Sequence, residues 1–423
     1  MPRDRPAADE VSVEANHVAS VRRSNLGAIL RLLRDHGARS RSQIGRETGL
    51  PKATVSALVL ELLDRRLVRE AGFTASRGIG RPSQQVELDG RGVCGLGVEI
   101  SSTYVRAVAL DLPGKTVFRA EKPLDVGRMP VEQVMDTTAE LIQSCLNDTA
   151  DRQIDLLRVV VATPGVVDVE KGIVRFAANL GWHDVPVTSM LRQRLGRPTP
   201  AIEVENDARA ASVAELAQYA RDGVTDLLLL TGERGVGGGI IANGRLLRGS
   251  AGFAGEIGHT PLGPPDVACV CGRHGCWETQ VGMQALLDQA ADADDPVRDA
   301  LRPIEERLDE LYARAQAGDA RVLDALHQVS ASLCKGLEVL SDVLNPRVIV
   351  LGGYFARFAE YLIPALQRRF DERALIHPVV PQTAVVPSKL GFGAASLGAA
   401  GLALQPVFRD PTRGTVSPGI RQS

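Results

Sequence analysis

Three cysteines and one histidine stand close enough in the sequence to bind a single metal ion. Cys269, Cys271 and Cys276 lie within eight residues, and His259 precedes the first of them by ten positions. One imidazole and three thiolates suit a closed tetrahedral zinc site, whose four protein ligands leave no position for an activated water. His274 lies between Cys271 and Cys276, where the loop must turn, so His259 is the preferred nitrogen ligand. The spacing predicts a structural Zn²⁺ site, with three unrelated buried thiols as the alternative.

A second set of residues could bind a polar ligand. Glu205-Asn206-Asp207 stands where a predicted strand ends and a predicted helix begins, the position at which ligand crevices open in α/β sheets. Asn and carboxylate groups can hydrogen-bond adjacent sugar hydroxyls, although an Asn-Asp pair at a helix start can equally be a simple cap. Residues 231–239 are rich in glycine, so their backbone amides could approach a phosphate. Glycine-rich hairpins also occur without any ligand.

The N-terminal part of the chain carries an excess of positive charge. Between Arg22 and Pro82, thirteen Lys and Arg residues stand against five Asp and Glu, which gives a net charge of +8. The whole chain has a net charge of −2, so the remainder sums to −10. A compact basic segment on an acidic body is typical of a nucleic-acid-binding module, although a solvated basic face is also common.

Residues 22–90 show three helical patterns followed by a hairpin. Apolar residues recur on one face of the first helix as far as Gly37. Ser40 and Gln43 have the spacing of a capping box at the start of the second helix, and Pro51 stands in the first turn of the third. This order predicts a helix-turn-helix followed by a two-stranded wing.

Candidate DNA contacts lie on the third helix and in the wing. Lys52, Thr54 and Ser56 are small or polar and stand near the helix start, which suits entry into a major groove. Arg77 and Arg81 flank the glycines of the wing and could reach phosphates or a narrow minor groove. We therefore expect double-stranded DNA as a partner, with a small helical interaction domain as the alternative.

From residue 92 onward, predicted strands and helices are mixed, which indicates an α/β architecture. We predict strands at 93–100, 104–110, 157–162, 201–205, 226–231, 239–242 and 348–351. Helices are predicted at 131–147, 208–220, 282–291 and 358–370, with a long helical run at 303–344.

Length and composition suggest two or three soluble domains. The chain has 423 residues, of which 44% are apolar and 24% charged. We find no apolar run long enough to span a bilayer, and residues 1–21 lack a signal-peptide core, so we expect a cytoplasmic protein with no membrane partner. The predicted boundaries are a flexible tail at 1–21, a winged helix-turn-helix at 22–90, a body at 91–405 and a second flexible tail at 406–423.

Around the cysteine cluster the sequence closely resembles the ROK family, which groups bacterial repressors, open reading frames and sugar kinases. The motif is Glu256-x-Gly258-His259 followed by Cys269-x-Cys271-Gly272-x-x-Gly275-Cys276-x-Glu278, and the resemblance covers nearly the whole chain. It implies an actin-like body with zinc at the His and Cys residues, one lobe at 91–204 and 388–405, and a second at 205–387. It also implies that a sugar in the cleft between the lobes contacts Gly165, Asn179, Asn206, Asp207, Glu256, His259 and Glu278.

The same resemblance raises the question of kinase activity. Asp207 aligns with the catalytic base of the family's kinases, whose ATP-binding members carry Asp-x-Gly-Gly-Thr early in the body. Here that turn is Glu99-Ile100-Ser101-Ser102-Thr103, and Tyr354 replaces a third glycine that is usual in a later motif on the adenosine side. Serine side chains restrict the backbone and crowd a phosphate, on whose positioning phosphoryl transfer depends. We therefore expect no enzymatic activity.

The sequence thus predicts a DNA-binding repressor that responds to a small sugar or sugar derivative. We expect a homodimer or homotetramer that presents paired recognition helices to a pseudo-palindromic operator. Sugar binding would close the lobes and shift these helices relative to each other. A sugar kinase that carries a regulatory DNA-binding domain is the alternative, and a purely structural scaffold is a weaker third possibility.

Overall fold

The computed structural model describes residues 8–74, 83–196, 198–299, 302–376 and 382–412. The N-terminal domain is a winged helix in which the strands form one antiparallel sheet of order β1-β3-β2. Its elements are α1 (Ala8–His36), β1 (Arg39–Ser40), α2 (Arg41–Thr48), α3 (Lys52–Asp64), β2 (Val68–Thr74) and β3 (Ser83–Leu88). The first helix therefore starts at Ala8, inside the segment predicted as an N-terminal tail.

Local signals in the sequence set the ends of the short helices. The Ser40 hydroxyl accepts a hydrogen bond from the Gln43 N–H, and the Gln43 side chain accepts one from the Ser40 N–H at 2.8 Å, so the capping box is formed. Gly49 ends α2 with a left-handed φ of 72°. Pro51 is the N-cap residue of α3, so the helix begins at Lys52, one position later than predicted.

The first lobe is a five-stranded mixed sheet of order β11-β7-β4-β5-β6, in which β4, β7 and β11 run parallel. A small antiparallel sheet of order β10-β9-β8 lies beside it. The elements of this lobe are β4 (Val93–Ile100), β5 (Tyr104–Asp111), β6 (Thr116–Pro123), α4 (Val131–Asp151), β7 (Asp155–Thr163), β8 (Val166–Asp168), β9 (Ile173–Ala177), β10 (Trp182–Val185), α5 (Val187–Leu195) and β11 (Ala201–Asn206).

The second lobe has a sheet of order β14-β13-β12-β15-β16, with helices packed around it. The predicted helical run at 303–344 is two helices, because Asp319 accepts the N–H groups of Arg321 and Val322 and starts a new helix after Gly318. The elements are α6 (Asp207–Gln218), β12 (Leu227–Gly232), β13 (Val236–Ala242), β14 (Arg245–Leu246), α7 (Glu278–Val281), α8 (Met283–Ala290), α9 (Ile304–Gln316), α10 (Ala320–Leu344), β15 (Val348–Gly353), α11 (Tyr354–Arg357), α12 (Ala359–Ile376) and β16 (Ala384–Pro387). A further helix, α13 (Ala394–Arg409), packs on the sheet of the first lobe at β4, β5 and β7 and against α6.

The last helix, α13, packs against β4, α6 and α1 and so touches both lobes and the winged helix. Leu404, Val407 and Phe408 belong to the same buried cluster as the apolar face of α1. The predicted start of a C-terminal tail at residue 406 was therefore wrong, because the helix continues to Arg409 and its last apolar residues are buried.

The segment Gly391–Arg409 is also long and apolar enough to cross a membrane, by length and composition alone. The expectation that the chain has no apolar run of this length was therefore wrong. However, 61% of its most apolar window is buried inside the protein. The helix separates α6 from β4, so it meets apolar neighbours on several sides, which accounts for its composition.

Candidate ligand cleft and metal centre

A cleft of about 520 Å³ lies between the two lobes. Its walls come from the loops that follow β4, β7, β11 and β12 and from the segments around Glu256 and Cys271. All seven residues that the sequence nominated for sugar contact border it, namely Gly165, Asn179, Asn206, Asp207, Glu256, His259 and Glu278. The fold therefore brings together residues that lie as far as 113 positions apart in the sequence.

Asn206 and Asp207 act as a helix cap and also border the cleft. Asn206 accepts the N–H of Arg209 at 3.0 Å and donates its amide to the Gly165 carbonyl at 3.0 Å, which fixes the side chain. Asp207 accepts the N–H of Ala208 at 2.7 Å. Burial raises the pKa of Asp207 to about 6 against this hydrogen bond, and the nearby Glu256 carboxylate adds to the rise.

Glu205, by contrast, is not among the residues that border the cleft. Its two carboxylate oxygens accept hydrogen bonds from Arg209 at 2.8 Å and from Arg248 at 2.7 Å, and its side chain is 3% exposed. Arg209 also donates to the carbonyl of Gly252. This buried ion network holds the loop that leads to Glu256 against the start of α6, so Glu205 positions the site.

The four predicted metal ligands form one cluster. Their ligand atoms all lie within 4.8 Å of one another. The Cys269 Sγ atom is 3.8 Å from His259 Nδ1, and the Cys271 and Cys276 Sγ atoms are 3.6 Å apart. A zinc–sulfur bond of ~2.3 Å gives tetrahedral edges of about 3.8 Å, so these residues fit Zn²⁺. His274 is exposed and stands outside the cluster, which agrees with the choice of His259.

The metal cluster and the cleft share a wall. Glu278 places Oε1 3.6 Å from the Cys269 Sγ atom, and its Oε2 accepts the N–H of Val236 at 2.7 Å. His259 Nε2 lies 3.9 Å from Glu256 Oε2. Disorder of the metal loop would therefore displace three residues that border the cleft, namely Glu256, His259 and Glu278.

Glu99 and Glu233 form an acidic part of the cleft wall, called here the acidic wall. Tyr104 donates its hydroxyl to Glu99 Oε1 at 2.7 Å, and Arg106 Nη1 is 3.7 Å from Glu99 Oε2. Burial raises the pKa of Glu99 to about 7 despite these two partners. Burial likewise raises the pKa of Glu233 to about 8, and the Glu99 and Asp207 carboxylates contribute to the rise. Glu233 was not predicted from the sequence, although an acidic residue in a glycine-rich turn was the available signal.

The candidate DNA interface is described only in part. Lys52 is exposed, while Thr54 and Ser56 are partly exposed near the start of α3, and Ser56 donates its hydroxyl to the Lys52 carbonyl. Arg77 and Arg81 lie outside the described residues. Several arginines of this domain are paired with acidic side chains: Arg22, Arg34, Arg39, Arg41, Arg65 and Arg69.

On α2 and α3, two cations have no acidic partner. Among the described residues, Lys52 and Arg46 have no acidic partner within ion-pair distance, and both are exposed. Arg46 lies on α2 and was not nominated from the sequence. Cations without an internal partner can neutralise DNA phosphates at low cost, so Arg46 joins Lys52 as a candidate contact.

Comparison with known proteins agrees with this architecture. Residues 95–406 match the ROK family, and residues 24–72 match the IclR helix-turn-helix domain. The chain therefore belongs to the ROK family, and it carries a helix-turn-helix ahead of an actin-like body of the sugar-kinase type.

Relatives of this family include both repressors and kinases. A xylose repressor of Caldicellulosiruptor bescii is 29% identical over 82% of this chain and 87% of its own length. A solved ROK transcriptional regulator, a homologue of the Escherichia coli Mlc protein, covers 92% of this chain and 97% of its own with a TM-score of 0.73 and 24% identity. A ROK glucokinase from Streptomyces griseus, solved with glucose and AMPPNP, covers 74% of this chain and 99% of its own with a TM-score of 0.59 and 27% identity.

Proposed function

We propose that this protein is a sugar-responsive DNA-binding transcriptional repressor of carbohydrate uptake or metabolism genes. The supporting relatives are named a xylose repressor and a transcriptional regulator, and they match 82% and 92% of this chain, more than the ROK body at 95–406 alone. The seven residues that border the cleft are the proposed sugar contacts. Lys52, Thr54, Ser56, Arg77 and Arg81 are the proposed DNA contacts. The protein acts in the cytoplasm as a homodimer or homotetramer.

One observation carries the proposal, namely the placement of α13. This helix packs along α6, whose N-terminus supplies Asn206 and Asp207 to the cleft, and it ends in the apolar core of the winged helix. A Cβ on Gly398 would lie 1.7 Å from the carbonyl oxygen of Ala210, so glycine permits the close packing of α13 against α6. A sugar that moves α6 would therefore also move the winged helix.

Zinc has a structural role in this proposal. His259, Cys269, Cys271 and Cys276 would hold the ion, and four protein ligands leave no site for a bound nucleophile. With the ion bound, these four residues would hold the loop in place and keep Glu278 and the second nitrogen of His259 at the edge of the cleft. The described residues at this cluster thus supply sugar contacts rather than metal-assisted chemistry.

The same cleft is poorly suited to phosphoryl transfer. The turn at 99–103 places Ser101 and Ser102 on the wall of the cleft, and Glu99 and Glu233 add two carboxylates to it. The buried Tyr354 ring lies over Gly232, close enough that a Cβ on this glycine would come 2.7 Å from it. A nucleotide phosphate would have to displace the Ser101 and Ser102 side chains, so we propose that the protein is not a kinase.

A sugar kinase with a regulatory DNA-binding domain is the second candidate. It is favoured by Asp207, whose raised pKa of about 6 suits a general base, and by the similarity to a glucokinase solved with AMPPNP. Incubation of the protein with glucose, xylose or N-acetylglucosamine and ATP distinguishes the two candidates. Sugar-dependent ATP consumption would favour the kinase.

The repressor function is tested by selecting an operator from random double-stranded DNA with the full-length protein. The selected duplex is then titrated, by fluorescence anisotropy, with and without each of a panel of sugars. We expect one sugar to weaken operator binding and the others to have no effect. Failure to select any duplex, or an operator affinity that no sugar changes, would contradict the proposal.

A further inference from the structure

Glu99 is a buried carboxyl group on the border of the cleft, and one of its oxygens lacks a donor. The residue is 4% exposed, and Oε2 has no hydrogen-bond partner among the described residues. The Arg106 Nη1 atom lies 3.7 Å from Oε2, which is too far for a hydrogen bond. A buried acceptor without a donor is costly, so it points to a donor from a bound molecule. Glu99 is therefore placed to receive a hydrogen bond from a ligand, although it is not among the seven nominated contacts.

The hydroxyl group of Tyr104 lies between Glu99 and a backbone carbonyl. Its oxygen is 2.7 Å from Glu99 Oε1 and 3.2 Å from the carbonyl oxygen of Phe392. A phenol carries a single hydrogen, so it can donate fully to only one of these acceptors at a time. The shorter distance favours Glu99, whose Oε1 accepts whether the carboxyl group is ionised or protonated at its other oxygen.

Phe392 lies on one of the two segments by which the chain passes between the lobes. The first passage is the junction of β11 and α6, and the second is formed by residues 388–393, between β16 and α13. The Phe392 side chain packs against the apolar core of the second lobe. Its carbonyl oxygen, however, accepts hydrogen bonds from β5 of the first lobe. Gly391, next to it, has a left-handed φ of 60°. This segment therefore has the position of a hinge.

Arg106 makes a constant contact with the same carbonyl oxygen. Its Nη1 donates to Phe392 at 2.8 Å, and its Nε donates to Glu121 at 2.6 Å. The guanidinium also lies 4.4 Å from the centre of the Tyr104 ring, which stabilises the orientation of that ring. Because an arginine remains charged at any physiological pH, the hydrogen bond of Tyr104 is the one that can change.

We propose that Glu99 contacts the ligand and that Tyr104 is a positioning residue, whose hydroxyl moves its hydrogen bond from Glu99 to the Phe392 carbonyl when the ligand donates to Glu99. The inference rests on the proposed function of the cleft as a sugar site. A sugar hydroxyl that donates to the Glu99 carboxyl group competes with Tyr104 for it. The released Tyr104 hydroxyl then bonds the hinge carbonyl, one turn before α13 begins. Since α13 ends in the core of the winged helix, a change at its start reaches the DNA-binding domain.

Operator titration with full-length, zinc-loaded variants tests the proposal. The probes are the duplex selected with wild type and the sugars glucose, xylose and N-acetylglucosamine. Tyr104→Phe removes the shared hydrogen and keeps the ring, and Tyr104 does not border the cleft. We therefore expect unchanged sugar affinity by isothermal titration. The ratio of the operator dissociation constants with and without sugar should fall by about fivefold, the effect of one hydrogen bond.

Tyr361→Phe is the matched control. It removes a hydroxyl that accepts the Gln316 side-chain amide at 3.1 Å on α12, away from the residues that border the cleft. It should leave the ratio unchanged.

Glu99→Gln tests the same hydrogen bond from the other side, and it carries the test if Tyr104→Phe does not fold. The glutamine amide can donate to the Tyr104 oxygen, so the hydroxyl stays on the Phe392 carbonyl with or without sugar. The ratio should again fall by about fivefold. This variant should also bind the sugar more weakly, because the carboxyl group is a ligand contact in the proposal.

The outcomes separate this proposal from the proposed function. A full sugar response in Tyr104→Phe would overturn the role of Tyr104 and leave the sugar sensor intact. Wild-type sugar affinity in Glu99→Gln would overturn the ligand contact. Loss of sugar affinity in Tyr104→Phe to the same extent as loss of the response would assign Tyr104 a merely structural role. If wild type binds its operator but none of the three sugars changes that binding, the proposed function fails, and this proposal fails with it.

Discussion

Arg31 and Phe408 lie 377 positions apart in the sequence and are joined by a hydrogen bond from Arg31 Nη1 to the Phe408 carbonyl oxygen at 2.6 Å. The guanidinium of Arg34 lies 4.9 Å from the centre of the Phe408 ring. Gly27 permits this approach, because a Cβ there would come 2.6 Å from the same carbonyl oxygen. The first helix of the DNA-binding domain is thereby fixed to the last turn of α13.

This contact predicts that Arg31→Gln weakens communication between the cleft and the DNA-binding domain. The variant should bind its sugar with unchanged affinity, while the effect of the sugar on operator affinity shrinks by about 1 kcal/mol. Arg409→Gln is the control, because Arg409 is exposed at the same end of α13 and bonds only to Gln405 among the contacts described. Anisotropy with and without sugar measures the effect, and an undiminished response in Arg31→Gln would exclude this contact from the coupling.

The metal centre predicts one zinc per chain, and it predicts that a variant that loses the zinc also responds more weakly to sugar. Cys276→Ser should lose the ion and weaken the sugar response, because the same loop carries Glu278 and the Nε2 edge of His259. Cys334→Ser removes a half-buried thiol outside the cluster and should retain both. Elemental analysis checks the metal, and zinc-free wild-type protein with a full sugar response would contradict the assignment.

The DNA interface predicts that Lys52→Ala and Arg81→Ala each weaken operator binding. A groove contact by Arg81 should be worth about 1–3 kcal/mol, and loss of a phosphate contact at Lys52 should reduce the salt dependence of binding. Arg91→Ala is the control, because Arg91 pairs with Asp89 beyond the wing. Unchanged affinity of Arg81→Ala at several salt concentrations would remove the wing from the interface.

The acidic wall predicts a pH-dependent stability. Folding raises the pKa of Glu99 to about 7 and that of Glu233 to about 8, from 4.5, mainly by burial. The stability linked to these groups is therefore complete below about pH 4.5 and is lost as the pH rises through 7 to 8. Glu233→Gln should thus be more stable than wild type by about 1 kcal/mol at pH 8, and the gain should vanish near pH 4, below the unfolded-state pKa of 4.5. Urea unfolding at both pH values measures this, and an equal gain at both would refute the electrostatic cause.

Local sequence signals predicted much of the fold. The capping box at Ser40, the glycine that ends α2 and the apolar run at 93–100 each specify their element through neighbouring residues. The strand β6 was missed because it is mostly exposed and has no buried alternation, and the short strands β8 to β10 are below the length at which periodicity is visible.

The residues of the candidate site likewise divide into those with a local sequence signal and those without one. His259 and the three cysteines were predictable because their spacing alone brings them together. The acidic wall was not, because Glu99 and Glu233 come from different lobes and border the same cleft only in the folded protein. Phe408 likewise contacts Arg31 of the winged helix across 377 positions of sequence. Such contacts leave no local pattern.

The most direct test of the account is operator release by sugar in wild type and Asp207→Asn, measured together with ATP consumption. In a sensor, Asp207 is a hydrogen-bond acceptor for the sugar, and its loss leaves a buried polar contact unmatched at a cost of about 1–3 kcal/mol. We therefore expect Asp207→Asn to bind the operator normally but to need roughly 10 to 100 times more sugar for release, and we expect wild type to consume no ATP with that sugar. Robust phosphorylation of a simple hexose or pentose by wild type, abolished in Asp207→Asn, would contradict the account.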